Sequence, residues 1–292
     1  MNPQAQTEWG TRVSLDFFLG GAGSGLLGVY LVARLLTGVN GQSVKIIVTG
    51  MALVLAGLLI LFSELGRPAN VMKSTKNTAT SWMARGVIVN LGLMGSVLLL
   101  LLAIWGNVEV LVSILSLVTA GFSILVAVYP GVVLFSAKDI WVWRSIWLPA
   151  LLLCSAFMSG LATLAIADSS FCFRLGTVFY WTSVGGMILM AALFAIFWYT
   201  RFSTGDSAAR QQFQRAIRNE VKTIFQFGAV GIGMGLPLLC YAIQPLFPVR
   251  GAEVVLVIAS WSCLIGAFAL RYCVLKTASH RPITLLGQFA SR

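Results

Sequence analysis

Five residues of opposed chemistry stand at the margins of long apolar runs: Asp16, Glu64, Arg67, Arg85 and Tyr129. A carboxylate can take or give a proton, a guanidinium can fix or tune an anion, and a phenol can donate a hydrogen bond to a carbonyl oxygen. Asp16 is the least expected of them. It is followed by Phe17, Phe18 and Leu19, then by Gly20, Gly21, Gly23 and Gly25. A charge at the centre of an apolar span costs about 2.5–3.5 kcal/mol even on lenient scales, and such residues are usually functional. The glycines have two readings. Gly21-x-x-x-Gly25 is a helix-packing motif, and a glycine-lined face also leaves room for a flat ligand beside Asp16.

The elements that must position these residues follow from hydropathy. The 292-residue chain is 58% hydrophobic and 10% charged, with mean hydropathy +0.90. The apolar residues come in eight blocks, near 15–36, 44–65, 86–105, 108–129, 146–167, 175–199, 224–247 and 254–275. Blocks of this length read as transmembrane helices. The spacing predicts an all-α integral membrane protein of eight helices in one polytopic domain over 1–292. An N-terminal four-helix bundle over about 14–131 is followed by further helices over about 145–276. No cleavable signal is evident, because the first run is too long for a signal h-region, and insertion intact is expected.

Alternation of eight spans puts the start of the first and third helices and the end of the second and fourth on one side. Asp16, Glu64, Arg67, Arg85 and Tyr129 then converge at one depth, with Pro130 and Gly131 read as the exit turn of the fourth span. That side carries fifteen of the twenty Lys and Arg residues, against four on the other, with Arg271 inside the last span. The positive-inside rule places both termini in the cytoplasm. This distribution accounts for the net charge of +11 without nucleic acid.

Other classes drop out. The one histidine, His280, lies in the C-terminal tail, so a bis-histidine haem within the chain is excluded. The five cysteines show no CxxC and no zinc or iron–sulfur spacing, so no metal of the chain's own is expected. There is no phosphate loop and no HExxH. In the loop AKDIWVWRSIWLP, Lys138, Trp141, Trp143 and Arg144 are candidates for docking a partner protein, with lipid anchoring as the plainer role for a tryptophan. The loop GDSAARQQFQRAIRNEVKTIF reads as a short basic surface helix, lying on lipid or under a partner.

FLGGAGSGLLG in the first span, ELGRPANVMKS after the second and TSWMARGVIVN opening the third resemble, in order, the NrfD/PsrC family, as do YPGVVLFSAKDIWVWRSIWLPALLLCSAFMSGLA and FALRYCVL further on. The resemblance implies a haem-free membrane subunit of a polysulfide- or dimethyl-sulfoxide-reductase-type respiratory complex, without the catalytic centre itself. It implies a quinone (menaquinone or ubiquinone) at the partner-facing end of the first four helices. It also implies electron exchange with a ferredoxin-like iron–sulfur subunit, and through it with a molybdopterin-type catalytic subunit, in the bacterial inner membrane. By resemblance Tyr129 and Asp16 take the positions of the quinone ligands, aspartate standing where the polysulfide-reductase form has histidine. Glu64, Arg67 and Arg85 would tune or relay protons, and Gly20 and Gly21 would give the ring space. Glu64 replaces a common aspartate, and IWVW stands where a proline is often found. A secondary transporter of eight helices and a passive membrane anchor are the alternative readings.

Overall fold

The computed structural model describes residues 10–38, 43–64, 82–137, 140–204 and 207–278. Among these the chain is all-helical, with eight helices long and apolar enough to cross a membrane. Helix α1 spans Thr11–Thr37, α2 Val44–Glu64, α3 Trp82–Trp105 and α4 Glu109–Ser136. A short 3-10 turn at Trp141–Trp143 leads to α5, Trp147–Ala167. The seven-residue α6, Ser169–Leu175, precedes α7, Thr177–Ser203. Helix α8, Ser207–Arg215, runs into π-helical segments at Ala216–Glu220 and Ile224–Gly235. The seventh span is completed by α9, Leu236–Ile243, and the eighth is α10, Val249–Lys276.

Helix ends follow local chemistry. Gly38 closes α1 at φ 60°, a left-handed conformation that glycine adopts without a Cβ clash. Asn107 adopts φ 53° in the tight link between α3 and α4, and Asp168 caps α6 by accepting from the Phe171 amide. The fourth span departs from the sequence reading. Pro130 does not end it, and the helix runs on to Ser136. Proline removes one N–H, yet transmembrane helices tolerate it because neighbours re-satisfy the freed backbone. Tyr129 therefore lies inside α4, not at its exit.

Helix α1 is the axis of the molecule. It packs on α2, α4, α5 and α10, whereas α2 and α3 barely touch each other. Burial agrees: 61% of the apolar stretch of α1 and 67% of that of α5 is enclosed, against 28% for α2. In lipid the tails are as apolar as leucine, so association depends on close packing more than on transfer from water. The glycines supply it. A Cβ at Gly25 would run into the Ala156 backbone, and one at Gly160 into the backbone of Gly25. Gly23 faces Gly50 and Val54 of α2, and Gly233 of the π segment meets Gly266 of α10. Leucines and isoleucines such as Leu59, Leu91, Leu117 and Ile188 are exposed outward, as lipid contact requires.

Substituting Gly160→Leu drives a side chain into the α1 backbone. We expect a loss well above the ~1–3 kcal/mol of ordinary overpacking and no recoverable monodisperse protein in detergent. Gly121→Ala, where a Cβ meets nothing within 4 Å, should leave yield and melting unchanged. Size-exclusion profiles and thermal melts compare the two.

Candidate functional site

Helix rise sets the depth of each side chain. At 1.5 Å per residue, Asp16 lies about 8 Å inside the start of α1, and Tyr129 about 10 Å inside the end of α4. Gly57 in α2 and Gly86 in α3 reach similar depths, about 10 Å and about 6 Å from their ends. These positions on the four helices thus share one depth.

Within it the carboxylate of Asp16 is buried, with 9% exposure. A Cβ at Gly57 would sit 3.1 Å from both its Oδ1 and its backbone carbonyl oxygen, so the absent side chain lets α2 close over the carboxylate. Across the bundle the Tyr129 ring lies against Gly86, where any Cβ would overlap it. Asp16 and Tyr129 are within electrostatic range of each other. One turn beyond Gly86 is Asn90, also buried, whose Nδ2 donates to the Gly86 carbonyl at 2.9 Å. Asn90 is not among the residues that the sequence singles out. The i, i+4 spacing from Gly86 was the signal that puts it on the face turned to α4.

The glycines beside Asp16 part company. A Cβ at Gly20 would meet nothing within 4 Å, so this side of α1 is open. Gly21 gives no room for a ligand, because the Arg271 guanidinium fills the place of its side chain. Arg271, 3% exposed, donates from Nη1 to Ser155 Oγ at 2.8 Å and to the Ala267 carbonyl at 3.0 Å. It ties α10 to α5 and α1, and Phe18 on Phe268 (5.9 Å between centroids) continues that contact. Sequence reading noted Arg271 inside a span but had no way to pair it with Gly21.

Arg85 is exposed at the start of α3. Arg67 and Lys138, and the side chain of Glu64, lie outside the described residues. In the 3-10 turn, Trp143 is fully buried and its Nε1 donates to the Val274 carbonyl at 3.0 Å, so it offers no surface to a partner. Trp141 is half-buried, with the Arg201 guanidinium 4.9 Å over its ring and Phe213 edge-on at 6.2 Å. Arg144 is exposed.

An apolar cavity of about 320 Å³ opens elsewhere, among α1, α4, α5 and α7 toward the opposite end of the helices. Its lining includes Gly28, Val32, Phe157 and Val178, with hydroxyls only from Ser24, Thr37, Ser123 and Thr182. It suits a hydrocarbon chain and has no group that moves a proton.

The Gly86 contact yields a test. Gly86→Val displaces the Tyr129 ring from its seat, whereas Gly20→Ala adds a methyl group to open space. The first should change Tyr129 accessibility, read by ultraviolet resonance Raman of the phenol, and the second should leave it unchanged.

No curated protein matches the chain. The family model of polysulphide reductase NrfD matches residues 1–282, nearly the whole length. Family members are membrane subunits of quinone-interacting respiratory oxidoreductases. The eight membrane-spanning helices and this match together identify the chain as a member of the NrfD family.

Proposed function

We propose that this chain is the haem-free subunit through which a multi-subunit respiratory oxidoreductase exchanges electrons with the membrane quinone pool. The observation that carries the proposal is the placing of buried Asp16 on α1 and half-buried Tyr129 on α4 at one depth, within electrostatic range of each other and beside the open side of Gly20. Oxidising a quinol releases two electrons and two protons, so a site must accept protons where electrons leave. Tyr129 is suited to donate its hydroxyl hydrogen to a quinone carbonyl oxygen. Asp16 is suited to accept a quinol hydroxyl proton, or to return one in the reverse direction. Gly57 and Gly86 hold the two groups at one depth by letting α2 and α3 approach. Asn90 is a further polar group on the same face. On one side α2 closes over the Asp16 carboxylate at Gly57, which leaves the Gly20 side for a ligand.

Electrons pass to a ferredoxin-like iron–sulfur subunit at the end of the bundle nearest Asp16, and from there to a molybdopterin-type catalytic subunit. The charge distribution supports placing that end, and both termini, in the cytoplasm of a bacterium.

Two measurements test this reading. In the purified complex, Asp16→Asn and Tyr129→Phe should each lower quinone-linked turnover. The loss of one hydrogen bond costs about 1 kcal/mol, roughly fivefold, and more where a proton step fails. Subunit stoichiometry should stay intact. Wild-type turnover in both variants would remove the site. For topology, a C-terminal fluorescent-protein fusion should glow and an alkaline phosphatase fusion stay silent, and the opposite result would place the partner outside.

A further inference from the structure

The helix after the sixth span has one face turned inward and one turned out. Phe213, Ile217 and Val221, at i, i+4 and i+8, are all buried. Phe213 sits among aromatic rings, stacked on Trp198 at 5.4 Å and tilted on Phe202 at 5.4 Å. Trp141 closes this cage from the loop between α4 and α5, and the buried Arg201 guanidinium holds Trp141 in turn by donating from Nη1 to its carbonyl at 3.2 Å. The helix is therefore fastened to the ends of the spans through its apolar side. A lipid-binding amphipathic helix lowers that side into the bilayer. Here it is already occupied by protein.

The outward face carries Gln211, Arg215, Arg218 and Lys222, all exposed, at i, i+4, i+7 and i+11. Glu220 is the only acidic residue between Ser207 and Lys222. The strip extends about 16 Å at helical rise. Arg144 stands exposed in the adjoining loop, and Arg201 adds buried positive charge beneath. Rigid, basic and facing away from the protein, the strip lies at the same end of the helices as Asp16.

We infer that the Arg215–Arg218–Lys222 face docks an acidic surface of the soluble iron–sulfur subunit. This rests on the functional reading above and names the contact through which that partner is held. Electrostatic complementarity of this kind steers encounter and fixes orientation, and it weakens as salt screens it. It also moves the docking surface from the tryptophans of the loop to the helix that Trp141 braces.

The test uses the complex purified from its native membrane through a tag on this chain, with iron–sulfur protein per chain measured by iron content and mass spectrometry. The triple variant R215E/R218E/K222E should lower that ratio about tenfold or more at low salt, and R215Q/R218Q/K222Q should fall between it and wild type. Because the substituted side chains are exposed, the chain's own yield should not change. A photoreactive amino acid placed singly at 215 or 218 should join the chain to Asp- and Glu-rich peptides of the iron–sulfur protein. Full stoichiometry in the charge-reversed variant, or crosslinks to phospholipid alone, would overturn the docking surface while leaving the quinone reading in place. A wild-type complex containing no iron–sulfur protein would overturn both.

Discussion

The close approach of α1 to its neighbours is the constraint on which the rest of the molecule depends. A membrane helix gains nothing by hiding leucine from lipid, so it needs surfaces that let backbones touch. Helix α1 provides them on several sides: Gly23 toward Gly50, Gly25 toward Gly160, and Gly21 toward Arg271. Its one open glycine is Gly20. Fixing the axis in this way fixes Asp16, because the carboxylate lies on the turn just before these contacts, covered by α2 at Gly57. Tyr129 is seated by the same device on α4, with Gly86 as its floor.

The two halves of the molecule divide labour around that axis. Helices α2, α3 and α4 complete the layer that holds Asp16, Tyr129 and Asn90. Helices α5 and α10 brace α1 from behind, through Ser155 and the buried Arg271. A guanidinium at this depth costs a few kcal/mol unless it is bonded, and two hydrogen bonds from Nη1 offset part of that cost. The aromatic cage around Phe213 extends the bracing to the surface and gives a basic helix a fixed direction.

The spans were legible in the sequence because a run of some twenty apolar residues has few alternatives to crossing a bilayer. The common depth of Asp16 and Tyr129 was legible too, since alternating helices place alternate ends together. Pro130 misled because its local preference is to end a helix, whereas a bundle can carry it through to Ser136. The roles of Gly20 and Gly21 were not separable, as adjacent residues point about 100° apart and only the neighbours decide which side is filled. Trp143 read as a docking candidate because it sits in a tryptophan-rich basic loop, but a single carbonyl at Val274 satisfies its Nε1 inside. The basic surface helix after the sixth span was legible, with lipid or a partner beneath it left open. What the sequence could not carry was the surface under its apolar side, Phe213, Ile217 and Val221, which is this protein and not lipid.

The central claim is that a quinone binds between α1 and α4 at Asp16 and Tyr129. An azido-quinone photolabel on the native complex, followed by peptide mapping, tests it most directly. The account predicts label on the segments around Asp16–Gly20 and Tyr129, suppressed by excess unlabelled quinone. Label confined to Leu153, Phe157 or Val178, in the apolar cavity among α1, α4, α5 and α7, would contradict it.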